Sequence, residues 1–410
     1  MPNERLLALL LLRDWVRDGR LPEESAHWGQ ATPLTRELVL GGLRHKGSLD
    51  AIIRHLSQRP PSPDFAPVLW IGLLQILWLD GIAEHAAVHE TLEAARSDNC
   101  PRAQIGYANG LLRNVIRKRG DIEAWLKAQP PHIRLSHPEM LFRRWKASYG
   151  EASAIAIMTW NQQRAVTWAR RTPLAGDAPI PDDLTPHPQH PDFYQLPRGL
   201  SPTSLPGFDE GHWYLQDPST VLAPTLLNPQ PGERILDACA APGGKAAWLA
   251  EALGDAGRGL TAMDPSSRRI TRLCENLDRL KLDNVRVRQG DTDNLPPESF
   301  DAILLDVPCS NTGVLQRRPD ARWRFNRKAL NDVTALQTQI LDAAAPRVSP
   351  GGRLVYSTCA IEPEETTQQI QTWLQTHPDW TLEAEILRLP GEQQSDGAYA
   401  ARLRKAKPQA

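Results

Sequence analysis

The stretch that decides the fold is "RILDACAAPGGKAAWLAEAL" (234–253). It begins with a short apolar run typical of a buried strand, passes through a turn of small residues, and continues with apolar positions at helical spacing. Small residues in such a turn let a ligand approach the backbone, and the first turn of the next helix offers free N–H groups. The stretch therefore predicts the first strand, loop and helix of an α/β domain with a ligand-binding loop, a plain tight turn being the alternative.

Strand-like runs and helical segments alternate through the rest of the chain. The runs "FDAILLD" and "GRLVYSTC" end at 306 and 359, and similar runs cover 259–264 and 284–291. Two further runs, within 381–406, have no helix between them and predict an antiparallel hairpin. We therefore expect a doubly wound, mainly parallel seven-stranded sheet with this C-terminal hairpin, which binds its ligands at the carboxyl ends of the strands.

The first part of the chain has a different pattern. Residues 1–140 repeatedly show apolar positions at helical spacing, which predicts an all-helical domain. Proline is dense from about 172 to 206 and marks a connector or a small irregular subdomain, because it breaks helices and central strands. The predicted domains are 1–140 (helical), 141–215 (connecting) and 216–410 (α/β).

Composition narrows the class of protein. The chain has 41% hydrophobic and 23% charged residues and a net charge of −1, which is typical of a soluble globular protein. No apolar run approaches the roughly 20 residues of a membrane span. The N-terminal apolar run is bracketed by charges and predicts an amphipathic helix rather than a signal peptide. We expect a cytoplasmic monomer without a membrane partner.

Cysteine and histidine patterns argue against a structural metal or disulfide framework. The five cysteines are far apart and form no CxxC pair, and the eleven histidines show no HExxH spacing. Cys239 and Cys274 are interpreted as small buried side chains. No metal is expected.

Basic residues are concentrated in two places. Residues 101–150 carry ten Lys/Arg against three Asp/Glu, and the run "QRRPDARWRFNRK" (316–328) carries six against one with two aromatic residues interleaved. Such runs are usually solvated faces, but they also suit the phosphates of a nucleic acid.

The glycine-rich turn is neither of two common phosphate loops. Ala246 follows the lysine where a Walker A loop needs Ser or Thr, and GxGxxG is absent. Asp264 closes the next strand about 20 residues after the turn, where an acidic residue would hold ribose hydroxyls, although it also suits a helix cap. Asp291 ends the third strand in the same way. Together these features predict a nucleoside-type cofactor.

Three motifs narrow the predicted function further. "DACAAPGGK" (237–245), "DVPCSNTGV" (306–314) and "YSTCAIEPEE" (356–365) together resemble the signature of the RNA (cytosine-5) methyltransferases. The N-terminal half, with "YANGLLRNVIRKR" (107–119), resembles the NusB-type helical RNA-binding domain that precedes the catalytic domain in the bacterial 16S ribosomal RNA methyltransferase B group. The segment 205–220 is similar to the entry into that catalytic domain. The resemblance implies a NusB-like domain followed by a Rossmann-like class I methyltransferase domain.

The resemblance also implies roles for the two strand-end cysteines. Carbon 5 of cytosine is a poor nucleophile, so a thiolate must first add to carbon 6 to form an enamine. That nucleophile is expected to be Cys359, and release of the adduct is expected to depend on Cys309. Asp306 is expected to contact nitrogen 3 of the base and to lie near the cofactor, and Lys245 to support the site electrostatically.

The implied cofactor is S-adenosyl-L-methionine. Its expected binding residues are those of the turn and the following strand ends: Cys239, Ala240, Ala241, Pro242, Gly243, Gly244, Lys245, Asp264, Asp291 and Asp306. The implied partner is RNA, most closely 16S ribosomal RNA, and no DNA is expected, since DNA methyltransferases attack with the Pro-Cys cysteine and need no second thiol. The residues expected to contact RNA are the basic stretch 102–146 and Arg317, Arg318, Arg322, Trp323 and Arg324.

Several residues depart from the usual family pattern, namely Val307, Asn311, Ala360 and Ala398. None is a reacting group, so activity is expected to survive, but the target nucleotide is left open. Two alternatives also stay open: methylation of another RNA such as transfer RNA, and a non-catalytic RNA-binding or ribosome assembly factor.

Overall fold

The structure is a computed structural model that describes residues 3–407, and it divides into two compact units. The helical unit contains the chain up to Arg164 together with Leu315–Arg324, and the α/β unit contains Ala165–Val314 and the chain from Phe325 onward. The predicted boundary at 140 differs from this division, because one helix of the helical unit spans residue 140, another follows it, and a segment from the C-terminal half joins that unit.

The helical unit is built around one very apolar helix. Within α3, every residue from Ala66 to Ile76 is buried, so this helix occupies the centre of the unit. The long α2 begins where the Thr32 hydroxyl accepts a hydrogen bond from the Thr35 N–H and proline stands in the first turn. The helices that share this core or extend it are α1 (Glu4–Asp18), α2 (Pro33–Leu56), α3 (Ala66–Leu77), α4 (Glu84–Ser97), α5 (Arg102–Arg117), α6 (Arg119–Lys127), α7 (Pro131–Arg134), α8 (Glu139–Tyr149) and α9 (Glu151–Gln162).

The segment Leu315–Arg324 is an integral part of the helical unit. The side chain of Arg322 is 0% exposed, and its guanidinium donates to backbone carbonyls of Arg44, Ser136, Asn161 and Leu315 at 3.0–3.4 Å. Trp323 packs against the helical core and donates from Nε1 to the Leu43 carbonyl at 2.7 Å. The prediction that Arg322 contacts RNA is therefore wrong, because its buried guanidinium donates to carbonyls inside the unit. Trp323 is partly exposed, and its contact with RNA stays a prediction.

The α/β unit contains the predicted mainly parallel sheet. In the described part of the chain it has seven strands in the order β10-β11-β9-β8-β5-β6-β7, and only the pairs β10·β11 and β11·β9 are antiparallel. The predicted fold class, including the C-terminal hairpin, is confirmed. The strands are β5 (Ile235–Asp237), β6 (Leu260–Asp264), β7 (Arg286–Gln289), β8 (Phe300–Asp306), β9 (Val348–Thr358), β10 (Trp380–Arg388) and β11 (Ala398–Lys405).

Helices accompany this sheet, and apolar side chains form two large buried clusters in the unit. The helices of the C-terminal half are α10 (Leu222–Leu227), α11 (Gly244–Leu253), α12 (Ser267–Arg279), the short α13 (Ala321–Arg324) that lies in the helical unit, α14 (Arg327–Ala344) and α15 (Thr367–Thr376). Among residues 3–407, no helix combines the length and apolar character that crossing a membrane requires.

The proline-dense region and the residues on either side of it form a small antiparallel sheet. Its strands are β1 (Trp168–Arg171), β2 (Thr185–Pro186), β3 (Phe193–Gln195) and β4 (Trp213–Leu215), in the order β2-β3-β1-β4. A minor core that includes Ala169, Leu196 and Trp213 lies beneath it. This region is thus an ordered part of the α/β unit, with strands too short to show a period in the sequence.

Candidate active site

Two predicted motifs meet because their strands are neighbours. Strands β8 and β9 are parallel and place Asp306 opposite Ser357, so the loops that follow both strands leave the same edge of the sheet. The Sγ atoms of Cys309 and Cys359 lie 3.0 Å apart, and both are free, partly exposed thiols. The structure thus brings the two cysteines into one site.

A lysine and an aspartate flank the thiol pair. The Nζ atom of Lys245 lies 2.6 Å from Oδ2 of Asp306, and the Ser357 hydroxyl donates to Oδ1 at 3.0 Å. Burial alone would lower the pKa of Lys245, but the carboxylates of Asp306 and Asp237 outweigh it and raise that pKa. Lys245 therefore stays protonated and fixes the orientation of the Asp306 carboxylate.

The Asn311 amide bridges the two cysteines. Its Nδ2 donates to the Cys309 carbonyl at 3.0 Å, and its Oδ1 accepts from the Cys359 thiol at 3.5 Å. Asn311 has a φ of 61°, a conformation that asparagine tolerates better than most residues. The contact with the Cys309 thiol, burial and the charge of Asp306 raise the pKa of Cys359 well above its ordinary value, whereas Lys245 opposes this. These influences favour the neutral thiol form of Cys359.

The end of the Cys309 loop is pinned to the Cys359 strand. The Gly313 N–H donates to the Cys359 carbonyl at 2.9 Å, and the Gly313 carbonyl accepts from the Gly397 N–H at 2.8 Å. A Cβ atom at Gly313 would lie 2.4 Å from the Cys359 carbonyl oxygen, so only glycine fits there. The spacing of the two thiols is thus set by backbone contacts.

Two buried residues, Glu365 and Gln337, hold the Cys309 loop in place, and neither was predicted from the sequence. Glu365 accepts from the Ser310 N–H at 2.9 Å and from the Ser310 hydroxyl, and Gln337 donates to the Pro308 carbonyl at 2.9 Å. Burial raises the pKa of Glu365 to about 7, although the hydrogen bonds from Ser310 and Gln337 oppose the shift. Glu365 lies within the quoted "YSTCAIEPEE", but its partner could not be read from the motif.

The glycine-rich turn lies after β5 at the same edge. Gly243 has a φ of 114°, and a Cβ at Gly244 would lie 2.8 Å from the Gln216 side-chain oxygen. The Ala240 N–H donates to the Met263 carbonyl at 2.8 Å, which ties the turn to β6. Burial, followed by the charge of Asp237, raises the pKa of the Cys239 thiol. The seven residues of this turn that are predicted to bind the cofactor, from Cys239 to Lys245, lie in the loop after β5 and in the first turn of α11.

Three aspartates follow or end the neighbouring strands. Asp237 is buried at the end of β5, and its Oδ2 has no hydrogen-bond partner in the part of the chain that the structure describes. Burial, and then the charge of Asp306, raises the pKa of Asp237 to about 7. Asp264 is 1% exposed, with Oδ1 accepting from the Ser266 N–H at 3.0 Å and Oδ2 3.3 Å from Arg269. Asp291 is exposed after β7.

No group of three or more His, Cys, Asp or Glu residues within 3–407 is arranged to hold a metal ion. The donors of the site are thiols, carboxylates, an ammonium group and backbone N–H groups. This set suits covalent and electrostatic catalysis on an organic substrate.

A second candidate site lies in the helical unit. A groove of about 1150 Å³ between α4 and α5 has an apolar floor that includes Val88, Leu92 and Ile105. Its rim is mainly basic and carries Arg96, Arg102, Arg113, Arg117, His85 and His89, with Glu84 as the acidic exception. The groove therefore offers a positively charged surface along part of the basic stretch predicted to bind RNA.

Comparisons with known proteins agree across nearly the whole chain. The profile of the family described as 16S rRNA methyltransferase RsmB/F matches residues 224–404, and that of the NusB family matches residues 2–117. The chain is 36% identical to ribosomal RNA small subunit methyltransferase B of Citrobacter koseri, covering 90% of each chain. It is 32% identical to the probable ribosomal RNA small subunit methyltransferase B of Synechocystis sp., covering 99% of this chain and 100% of that one. The crystal structure of PH0851 matches with a TM-score of 0.77 over 99% of each chain at 22% identity, which shows a shared fold.

Proposed function

Because the chain belongs to the ribosomal RNA small subunit methyltransferase B family, we propose that it methylates carbon 5 of a cytidine in 16S ribosomal RNA through a covalent cysteine–cytosine adduct. The observation that carries the proposal is the pair of free thiols 3.0 Å apart, at the end of the sheet that also bears Asp306. A catalyst that only needed a nucleophile would have no use for the second thiol. Two thiols suit a reaction in which an adduct must be both formed and released.

The expected cofactor, S-adenosyl-L-methionine, fits the residues present. It supplies a methyl group activated on a sulfonium. The turn from Cys239 to Lys245 offers small side chains and the first N–H groups of α11, and the unpartnered Asp237 Oδ2 supplies a buried acceptor beside it. Asp264 and Asp291, at the ends of the next two strands, are proposed to hold the nucleoside part.

Each residue of the site has a separate role in the proposed reaction. The Cys359 thiol first loses its proton to water, and the thiolate then forms a bond to carbon 6 of the cytosine, which makes carbon 5 an enamine carbon able to take the methyl group. Asp306, oriented by Lys245 and Ser357, contacts nitrogen 3 and favours the protonated adduct. Lys245 also lowers the pKa of Cys359, against the stronger influences that raise it. Cys309 then acts in release.

The RNA that carries the target is proposed to contact the groove of the helical unit as well. A phosphate backbone requires several cationic side chains at intervals, and the rim residues Arg102, Arg113 and Arg117 lie along one helix. The base itself has to leave its stack or be presented in a loop to reach the thiols. Flanking RNA in the groove would then add affinity to that provided by the target base.

A substrate comparison tests this function. The purified full chain is incubated with S-adenosyl-L-methionine carrying a labelled methyl group and with 16S ribosomal RNA, transfer RNA or DNA. We expect label in 5-methylcytidine of 16S ribosomal RNA alone. Label in transfer RNA would support the alternative substrate, and RNA binding without methylation of any substrate would support the non-catalytic factor.

A further inference from the structure

We propose that Glu365, assisted by Gln337, is a positioning residue that fixes Cys309 for the release step. The inference rests on the proposed function, because it assigns a part to Glu365 in the same reaction. It starts from the observation that both peptide groups that flank Cys309 are held by buried side chains.

The two peptide groups are held on opposite sides of the cysteine. The carbonyl of the Pro308–Cys309 peptide accepts from Gln337 Nε2 at 2.9 Å. The N–H of the Cys309–Ser310 peptide donates to Glu365 Oε1 at 2.9 Å, and the Ser310 hydroxyl donates to Oε2 of the same carboxylate. Fixing both adjacent peptide planes restricts φ and ψ of Cys309 itself. Glu365 and Gln337 therefore restrict the direction of the Cα–Cβ bond of Cys309.

Glu365 and Gln337 are themselves held in place by further hydrogen bonds. Gln337 Nε2 donates to Glu365 Oε1 at 3.1 Å, and the Tyr356 hydroxyl donates to the Glu365 backbone carbonyl at 2.8 Å. Glu365 and Gln337 are both 0% exposed. Burying a carboxylate costs stability unless it is well hydrogen-bonded, and the side-chain bonds of Glu365 go to the Cys309 loop and to Gln337. The arrangement thus commits a buried carboxyl group to the geometry of one loop.

Release is the step for which this geometry matters. The C5–H bond and the bond between carbon 6 and Cys359 Sγ break, and the C5–C6 double bond forms again. The proton on carbon 5 passes to the Cys309 sulfur, whose own proton has been released to water beforehand, and the electron pair of the broken carbon–sulfur bond returns to Cys359. Both sulfur atoms must therefore reach neighbouring ring carbons, and small displacements in such an arrangement are costly. Of the two thiols, only Cys359 takes part in adduct formation, so a displaced Cys309 slows release selectively.

The test follows the covalent protein–RNA adduct in Glu365→Ala, Glu365→Gln and Gln337→Ala, with Glu364→Gln as the matched control. Adducts are measured on denaturing gels with 16S ribosomal RNA and S-adenosyl-L-methionine, beside turnover and single-turnover methyl transfer. Glu365→Ala is expected to accumulate adduct and to lose turnover on the order of 100-fold, with methyl transfer in the first turnover retained. Glu365→Gln keeps one hydrogen-bond acceptor and is expected to lose less turnover. This variant also tests the inference if Glu365→Ala does not fold. Gln337→Ala, which frees the Pro308 carbonyl, is expected to accumulate adduct as well.

Each substitution is repeated in the Cys309→Ser background to separate positioning from a general structural role. If Glu365 acts through Cys309, Glu365→Ala adds nothing to the adduct level of Cys309→Ser. Wild-type turnover and adduct levels in both Glu365 variants would overturn the inference, as would an equal loss of first-turnover methyl transfer in both backgrounds. Failure of the proposed function gives a different result, since Cys309→Ser alone would then form no adduct.

Discussion

The Cys359 thiol lies 3.5 Å from the side-chain oxygen of Asn311, which in turn reaches the Cys309 carbonyl through its Nδ2. The Asn311 oxygen accepts a hydrogen bond from the Cys359 thiol, which favours the neutral form of Cys359. It adds to the effect of Cys309, burial and Asp306, which together raise the pKa of Cys359. Asn311 is thus placed to tune the nucleophile, at a position where the sequence departs from the resembled family.

Replacing Asn311 with glycine is expected to make Cys359 ionise at a lower pH. Glycine accepts the φ of 61° and removes the acceptor of the thiol proton. Site-resolved alkylation of Cys359 against pH, read by mass spectrometry, should show its midpoint shifted to lower pH. Asn311→Ala is the companion variant: it removes the same acceptor but is expected to cost about 1 kcal/mol of unfolding free energy, because alanine is strained at positive φ. An unchanged midpoint in both variants would contradict the role of Asn311.

Neutralising the rim of the helical groove is expected to weaken RNA binding and its dependence on salt. Each of Arg102→Gln, Arg113→Gln and Arg117→Gln should reduce the slope of log affinity against log salt by about 1. The control is Arg143→Gln, which lies in the same basic stretch on α8, is 75% exposed and pairs with Glu139. Binding titrations at several salt concentrations distinguish the two sites. Equal slopes for the wild type and all three rim variants would exclude the groove as the RNA contact.

Arg322 is expected to matter for stability rather than for RNA. Arg322→Met leaves several buried carbonyls without their donor, at a cost of roughly 1–3 kcal/mol for each unsatisfied group. We expect a much lower denaturation midpoint and unchanged RNA affinity of the folded fraction. Arg318→Gln, at a side chain that is 46% exposed and pairs with Glu23, itself 34% exposed, should change stability little. A stable Arg322→Met variant with impaired RNA binding would restore the original sequence prediction.

The buried Asp237 predicts a specific dependence of stability on pH. Its folded-state pKa of about 7 lies above the ordinary value of 3.8, because burial and Asp306 disfavour its charged form. The stability that this raised pKa contributes is fully present below about pH 4 and is lost as the pH rises to about 7. Relative to Asp237→Asn, the wild type should therefore lose about 4 kcal/mol of unfolding free energy across that range. The unfolding free energies of the two proteins are measured from pH 4 to pH 8. A difference between them that stays constant over this range would contradict the raised pKa of Asp237.

The main sheet and the meeting of the two cysteine motifs were predictable for the same reason. Apolar runs alternating with helical segments predict a parallel sheet, and parallel strands carry their following loops to one edge. Asp306, Cys309 and Cys359 each follow such a run, so their proximity needed no knowledge of side-chain contacts. The motifs that resemble the family stand at the same strand ends.

Other features could not be predicted from the sequence, because they depend on which buried polar groups need hydrogen-bond partners. A basic run with interleaved aromatic residues has the same appearance whether it binds phosphates or, as with Arg322, fills a core and donates to carbonyls. Gln337 lies far along the chain from Glu365 and Pro308, so its contacts follow only from packing. The small sheet β1–β4 has strands of two to four residues, too short to show alternation.

The division of labour between the two thiols is the central claim, and trapping the adduct tests it most directly. Cys309→Ser and Cys359→Ser are each incubated with 16S ribosomal RNA and S-adenosyl-L-methionine, and the covalent protein–RNA species is measured on denaturing gels. The account predicts that Cys309→Ser accumulates the adduct and that Cys359→Ser forms none. An adduct in Cys359→Ser, and none in Cys309→Ser, would contradict it.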